Sequence, residues 1–266
     1  MNILILGTGE IERNLIKLCQ KSKLLDKIFT ASNEPLENIP NIEYNDFGEL
    51  CKKAKALQID LTLVADKFFI QEGVVEFFKT KLLNIISVNK KWFNLELSRV
   101  VAKQLMNHYS INFPEIIKAP LSFPVVIRTN TQSSTKIAYS MAELIKIKQD
   151  LAGEAVFLEE YLNGKIYYLN SVWDGKNFFH FPIDVELTEV QQDRLDLYKT
   201  KLNFMFSDES ADFIGMFTSK LIWAKNDWYV LDYIMHVDNK FNLENYNADF
   251  LYLLNSAIYQ KLDEIS

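Results

Sequence analysis

The 266-residue chain is 48% hydrophobic and 13% aromatic, enough to bury a sizeable core and long enough for two compact lobes. Twenty-nine basic against 35 acidic residues give a formal charge of -6, which argues against broad nucleic-acid or anionic-membrane binding, because both need a concentrated positive surface. Apolar runs are too short to cross a bilayer, no signal-peptide pattern opens the chain, and Cys19 and Cys51 sit in amphipathic stretches as small buried thiols, so a reduced cytoplasmic setting is expected.

In chain order, residues 2–6 read as a buried strand, 11–21 as a helix, 27–31 as a strand and 47–57 as a helix. Residues 61–65, 74–81 and 83–87 continue as strand, helix and strand. Such alternation predicts a parallel sheet flanked by helices, half of a doubly wound fold. Residues 92–109 form one long helical pattern without Pro or Gly, broken by the run Ser110-Ile111-Asn112-Phe113-Pro114. The lobe boundary is placed there, giving residues 1–110 and 111–266. Strand patterns follow at 123–129, 136–139, 155–158, 165–172 and 177–181, with a helix at 141–150. Turns at Asn163-Gly164 and Asp174-Gly175 read as hairpins, which makes the second lobe mainly antiparallel. A charged helix at 188–204, a strand pair turning around Asn226-Asp227 and a helix at 248–262 close the chain.

The strand-to-helix junction Gly7-Thr8-Gly9-Glu10-Ile11-Glu12 aims backbone N–H groups at an anion, although Glu12 stands where a dinucleotide fingerprint has its third glycine. It reads either as a phosphate-binding turn or as a plain structural turn. Five collinear stretches carry a more specific signal. They are Ile59-Asp60-Leu61-Thr62-Leu63-Val64 with Gly73-Val74-Val75, the run 94–103 containing Ser98-Arg99, Phe123-Pro124-Val125-Val126-Ile127-Arg128, Leu158-Glu159-Glu160-Tyr161-Leu162-Asn163-Gly164, and Ala248-Asp249-Phe250-Leu251. In order and spacing they resemble the glycinamide ribonucleotide synthetase (phosphoribosylamine–glycine ligase) family of the ATP-grasp superfamily over essentially the whole chain. The resemblance implies an α/β protein: a doubly wound substrate lobe, then an α+β ATP-grasp lobe whose small subdomain (about 115–160) and larger subdomain (about 161–266) grip ATP between two sheets. It also implies that the family's further C-terminal domain is absent.

What the resemblance implies for individual residues is uneven. Arg128 and Arg99 stand where the family has phosphate-reaching lysines, and each reads either as a phosphate ligand or as a surface ion-pair arginine. The lid, Thr129 to Lys136, contains no glycine, so backbone approach to phosphate is compromised and Lys136 is left as a partial substitute. Glu159, Glu160, Tyr161 and Leu162 match the hinge whose backbone contacts adenine. The ribose-holding glutamate falls on Ile166, and the substrate loop is reduced to residues 183–187. The Mg²⁺ element becomes Asp232-Tyr233-Ile234, leaving Asp232 as a weak metal remnant, and the following arginine becomes His236. In the first lobe only Gly7, Gly9 and Glu12 of the substrate turns persist, and the Phe68-Phe69 and Phe77-Phe78 cluster reads as core or as an exposed contact face. ATP is therefore a candidate ligand and Mg²⁺ a doubtful one. The expectation is a degenerate, non-catalytic relative that binds a nucleotide, a small molecule or a protein, and the alternative is a working carboxylate–amine ligase using Arg99, Arg128, Lys136 and Asp232. A subunit relying on a partner chain for the missing domain is a third reading.

Overall fold

The computed structural model describes residues 1–131, 135–241 and 248–265. Strand β1 (Asn2–Leu6) is buried on both faces, Ile3 and Ile5 in one core and Leu4 and Leu6 in another, as a central parallel strand requires. It pairs in parallel with β2 (Lys27–Ala31) and β3 (Leu61–Val64), and β3 pairs with the short β4 (Ile85–Ile86), in the order β2-β1-β3-β4. The crossovers are α1 (Glu10–Gln20), α2 (Phe47–Ala56), and α3 (Lys67–Gln71) with α4 (Val74–Thr80). Of the four phenylalanines in α3 and α4, Phe69 and Phe78 are core and Phe68 is exposed.

The single helix expected over 92–109 is two helices, α5 (Lys90–Leu97) and α6 (Arg99–His108). Ser98 separates them: its backbone is extended (φ -135°, ψ 105°), and its hydroxyl accepts from the Val101 N–H, capping α6. Apolar periodicity runs through the break, so the pattern alone hides it. The Arg99 N–H, freed at the start of α6, donates to the Asn130 carbonyl.

A four-stranded antiparallel sheet follows, built from β5 (Ile116–Ile117), β6 (Val125–Thr129), β7 (Thr135–Ala138) and β8 (Val156–Glu160) in the order β5-β8-β6-β7. Helix α7 (Met141–Asp150) covers one face, and Val125, Ile127, Ala138, Leu144 and Leu158 form a core of their own. A second four-stranded antiparallel sheet, order β10-β9-β11-β12, contains β9 (Ile166–Trp173), β10 (Phe178–His180), β11 (Gly215–Ala224) and β12 (Asp227–Ile234), backed by α8 (Glu189–Asp208). The Asp174-Gly175 turn is a hairpin: Asp174 Oδ1 accepts from the Lys176 and Asn177 N–H groups and Gly175 has φ +92°. Lys225 and Asn226 turn the last hairpin with φ of 51° and 58°.

Asn163-Gly164 is not a hairpin turn, because β8 and β9 belong to different sheets and the segment carries the chain from one to the other. Gly164 is needed there for closeness, since a Cβ would sit 2.1 Å from the Trp223 carbonyl oxygen. Helix α9 (Phe250–Ile258) returns to the first sheet beside α1, where Leu251, Leu253 and Leu254 share a core with Ile3, Ile5 and Leu15 and also with Phe181 and Met216. The first and third sheets are thus fused through common cores, with Ser87 bridged to Ile214 and Gly215 against the Ser87–Val88 backbone. Among the described residues no helix is long and apolar enough to cross a membrane.

Candidate functional site

Gly7 adopts φ +101° at the end of β1, and the turn it makes encloses the Glu12 side chain. A Cβ at Gly9 would come within 2.7 Å of Glu12 Oε2, so glycine there lets the carboxylate settle against the turn. Burial raises the Glu12 pKa, opposed by hydrogen bonds from its own and the Gly9 backbone N–H. A cavity of about 460 Å³ opens beside this turn, with Asp66, Lys67, His236 and Asp238 on its walls.

Between the two antiparallel sheets two of the expected cations, Arg99 and Arg128, are present and already engaged. Arg99 is 4% exposed and Arg128 is 3% exposed, so neither is a surface arginine. Arg99 Nε donates to Asp232 Oδ1 at 2.8 Å, and its Nη1 donates to the Thr129 and Thr131 carbonyls at 2.9 and 2.6 Å. Arg128 Nε donates to Glu159 Oε2 at 3.0 Å, while its Nη1 reaches Asp232 Oδ2 at 3.0 Å. Lys103 Nζ lies 2.9 Å from Glu159 Oε1 and donates to the Pro114 carbonyl at 3.1 Å. Burial alone raises a carboxylate pKa, yet the Asp232 pKa is lowered because Arg128 and Arg99 outweigh it. For Lys103 burial wins over Glu159 and the pKa falls. The cavity that touches Arg99, Lys103 and Asp232 measures about 10 Å³, at the lower limit for one water molecule.

Sheet register explains which side chains meet. Arg128 lies opposite Thr135, whose hydroxyl accepts from Arg128 and Arg99, and both point toward the inter-sheet cluster. Lys136 lies opposite Ile127, on the α7 face, and is exposed, so it is outside the cluster. Asp232, expected as a metal remnant, has a guanidinium on each carboxylate oxygen, and Ile234 follows it on β12. At the hinge, Glu159 is sealed against Arg128 and Lys103, and the β8 ladder ends at Glu160, leaving the Tyr161 and Leu162 backbone beyond it. Leu162 packs with Ile222 and Ala224 in a small apolar cluster. Ile166 opens β9 half-exposed, and Ile183 and Leu187 of the shortened loop pack against the large core. Gln132, Ser133 and Ser134 of the lid lie outside the described residues.

Two functional positions escaped the sequence reading. Lys103 is four residues from Arg99 on one face of α6, a spacing that places two cations together and was the available signal. Glu96 on α5 accepts from the Met235 N–H at 2.7 Å and pairs with His236 Nδ1 at 2.8 Å, fixing the segment after β12. No local pattern announces that contact.

A nucleotide would meet this site at two ends. The base end offers backbone beyond the ladder at Tyr161 and Leu162, with Leu162 in a small apolar cluster. At the phosphate end the cations hold internal carboxylates, and among the described residues no group of three or more acidic, His or Cys side chains is arranged to hold a metal ion.

A doubly wound sheet followed by two antiparallel sheets facing each other across a hinge is the ATP-grasp fold. Residues 1–96 match the family model described as phosphoribosylglycinamide synthetase, N domain. The phosphoribosylamine–glycine ligase of Fusobacterium nucleatum is 27% identical, over 100% of this chain and 75% of that protein. Among solved structures, the Thermotoga maritima phosphoribosylamine–glycine ligase superposes with TM-score 0.75 at 18% identity, over 98% of this chain and 76% of that one. The Staphylococcus aureus N5-carboxyaminoimidazole synthetase, solved with ADP, superposes with TM-score 0.65 at 18% identity, over 90% and 71%. Over its whole length the chain is thus similar to the glycinamide ribonucleotide synthetase (phosphoribosylamine–glycine ligase) family.

Proposed function

We propose that this chain is a non-catalytic paralogue within that family, with a binding or regulatory role in place of ligation. The observation that carries the reading is the pairing of Arg99, Arg128 and Lys103 with Asp232 and Glu159 inside the protein. Phosphoryl transfer depends on preorganised cations and Mg²⁺ facing the charge that develops on the transferring group. Cations already bonded to internal carboxylates have that field largely cancelled, and freeing them leaves two carboxylates buried without partners. The residue losses act in the same direction: Ile166 accepts no ribose hydrogen bond and Ile234 supplies no metal ligand.

The test is complementation of a purine-auxotrophic strain lacking its own synthetase. No growth without purines is expected. Growth that disappears with Asp232→Ala or Arg128→Ala sinks this reading and establishes an active ATP-dependent carboxylate–amine ligase. One observation favours residual nucleotide binding, namely the hinge backbone at Tyr161 and Leu162 beyond the β8 ladder. The ADP complex of the Staphylococcus aureus neighbour supports the same site class. In calorimetric titration ATP is expected to bind about equally with and without Mg²⁺, and a strong Mg²⁺ requirement counts against the loss of the metal site.

A further inference from the structure

Among the described residues, the sheet β5-β8-β6-β7 with α7 has a core that shares no side chain with the other cores, whereas the other two sheets are merged through common apolar clusters. Its attachments are polar. Asn130 on the lid side accepts from the Arg99 N–H through its carbonyl and from the Val100 N–H through its side chain. Arg99 holds the Thr129 and Thr131 carbonyls, Lys103 holds Glu159, and Arg128 crosses to Asp232 on β12. Lys225 of the last hairpin pairs with Glu160. Among the described residues Asp232 is the one carboxylate that joins a guanidinium from α6 to a guanidinium from the small sheet.

We infer that Arg99, Lys103, Arg128, Glu159 and Asp232 form an ionic clasp that holds the small sheet closed on the rest of the protein without any nucleotide. Three cations face two carboxylates, an excess of one positive charge, and the carbonyls of Thr129 and Thr131 accept from Arg99 while that of Pro114 accepts from Lys103, so each cation is engaged by the chain's own groups. Because the small sheet rests on a separate core of five buried side chains, losing the clasp should let that sheet open locally, leaving the merged cores intact. The inference shares an observation with the non-catalytic reading but fails separately: growth in the complementation test removes that reading and says nothing about how the closed arrangement is held.

Hydrogen exchange on the full chain reads the clasp directly. In the wild type without nucleotide, β6 and β8 amides are expected to exchange within about tenfold of those in β9 and β11, and Mg-ATP is expected to slow them less than about twofold. Asp232→Asn, which keeps the shape and removes the charge, should speed exchange in β6 and β8 about tenfold or more with β1 and β3 unchanged. Wild-type β6 and β8 amides exchanging about a hundredfold faster than β9, or protected only on adding Mg-ATP, overturn the clasp. Unaltered exchange in folded Asp232→Asn overturns it as well, and if that variant does not fold, the wild-type ordering decides.

Discussion

Asp232 accepts from two guanidiniums at 8% exposure, so removing its charge leaves Arg99 and Arg128 facing each other in a dry site. Breaking a buried pair in this way typically costs about 3–5 kcal/mol, much more than an exposed pair. Asp232→Ala is expected to lose that amount in urea unfolding, and a loss under about 1 kcal/mol would show the site to be wet. His180 supplies a pH signature. Burial, with Lys199 next in effect, lowers its pKa from 6.5 to about 3, while its Nδ1 lies 2.8 Å from the Ser171 hydroxyl oxygen. The unfolded chain binds a proton through this window that the folded chain does not, so this contribution is intact above pH 6.5 and is lost as pH falls toward 3. Between pH 7 and 5 the loss from this group is at most about 2 kcal/mol, and His180→Gln should remove that part of the slope.

Elements fail where their caps and crossings fail. Ser98 both ends α5 and caps α6, and the cap positions Arg99 and Lys103 one turn apart over the cluster. Ser98→Ala is expected to cost about 1 kcal/mol, measurable by thermal unfolding, with Ser98→Thr restoring most of it. The crossing between sheets is less forgiving, because a methyl at Gly164 would overlap the Trp223 carbonyl. Gly164→Ala should therefore cost about 2 kcal/mol or more, or prevent folding, and wild-type stability in that variant would mean the two chains do not approach so closely. The β12 hairpin depends on Lys225 and Asn226 at positive φ, where β-branched residues are strained.

For the whole molecule, the last helix holds together what lies farthest apart in sequence. Leu254 is fully buried and packs in the core of the first sheet. Leu254→Ala is expected to cost about 2–5 kcal/mol and to raise exchange in β1, more than 240 residues away along the chain, before it affects β6. Much of this architecture was legible: alternation of buried runs and amphipathic stretches marks β1 through α4, the Asp174-Gly175 turn marks one antiparallel hairpin, and Asn226-Asp227 marks the last one to within a residue. The break at Ser98 was not, because apolar periodicity runs through it, and Asn163-Gly164 has hairpin chemistry while serving a crossing between sheets. The resemblance likewise implied family positions for Arg99, Arg128 and Asp232, yet not what they bind.

The sequence by itself determined the family resemblance and most element types, because these are properties of residue identity and local period. Only the tertiary structure decided that the arginines pair with Asp232 and Glu159, that Lys136 lies on the far face of its sheet, and that α9 belongs to the first sheet's core. Those outcomes depend on register and on contacts between residues more than a hundred positions apart, and a carboxylate's partner is set by which groups packing brings within hydrogen-bond distance.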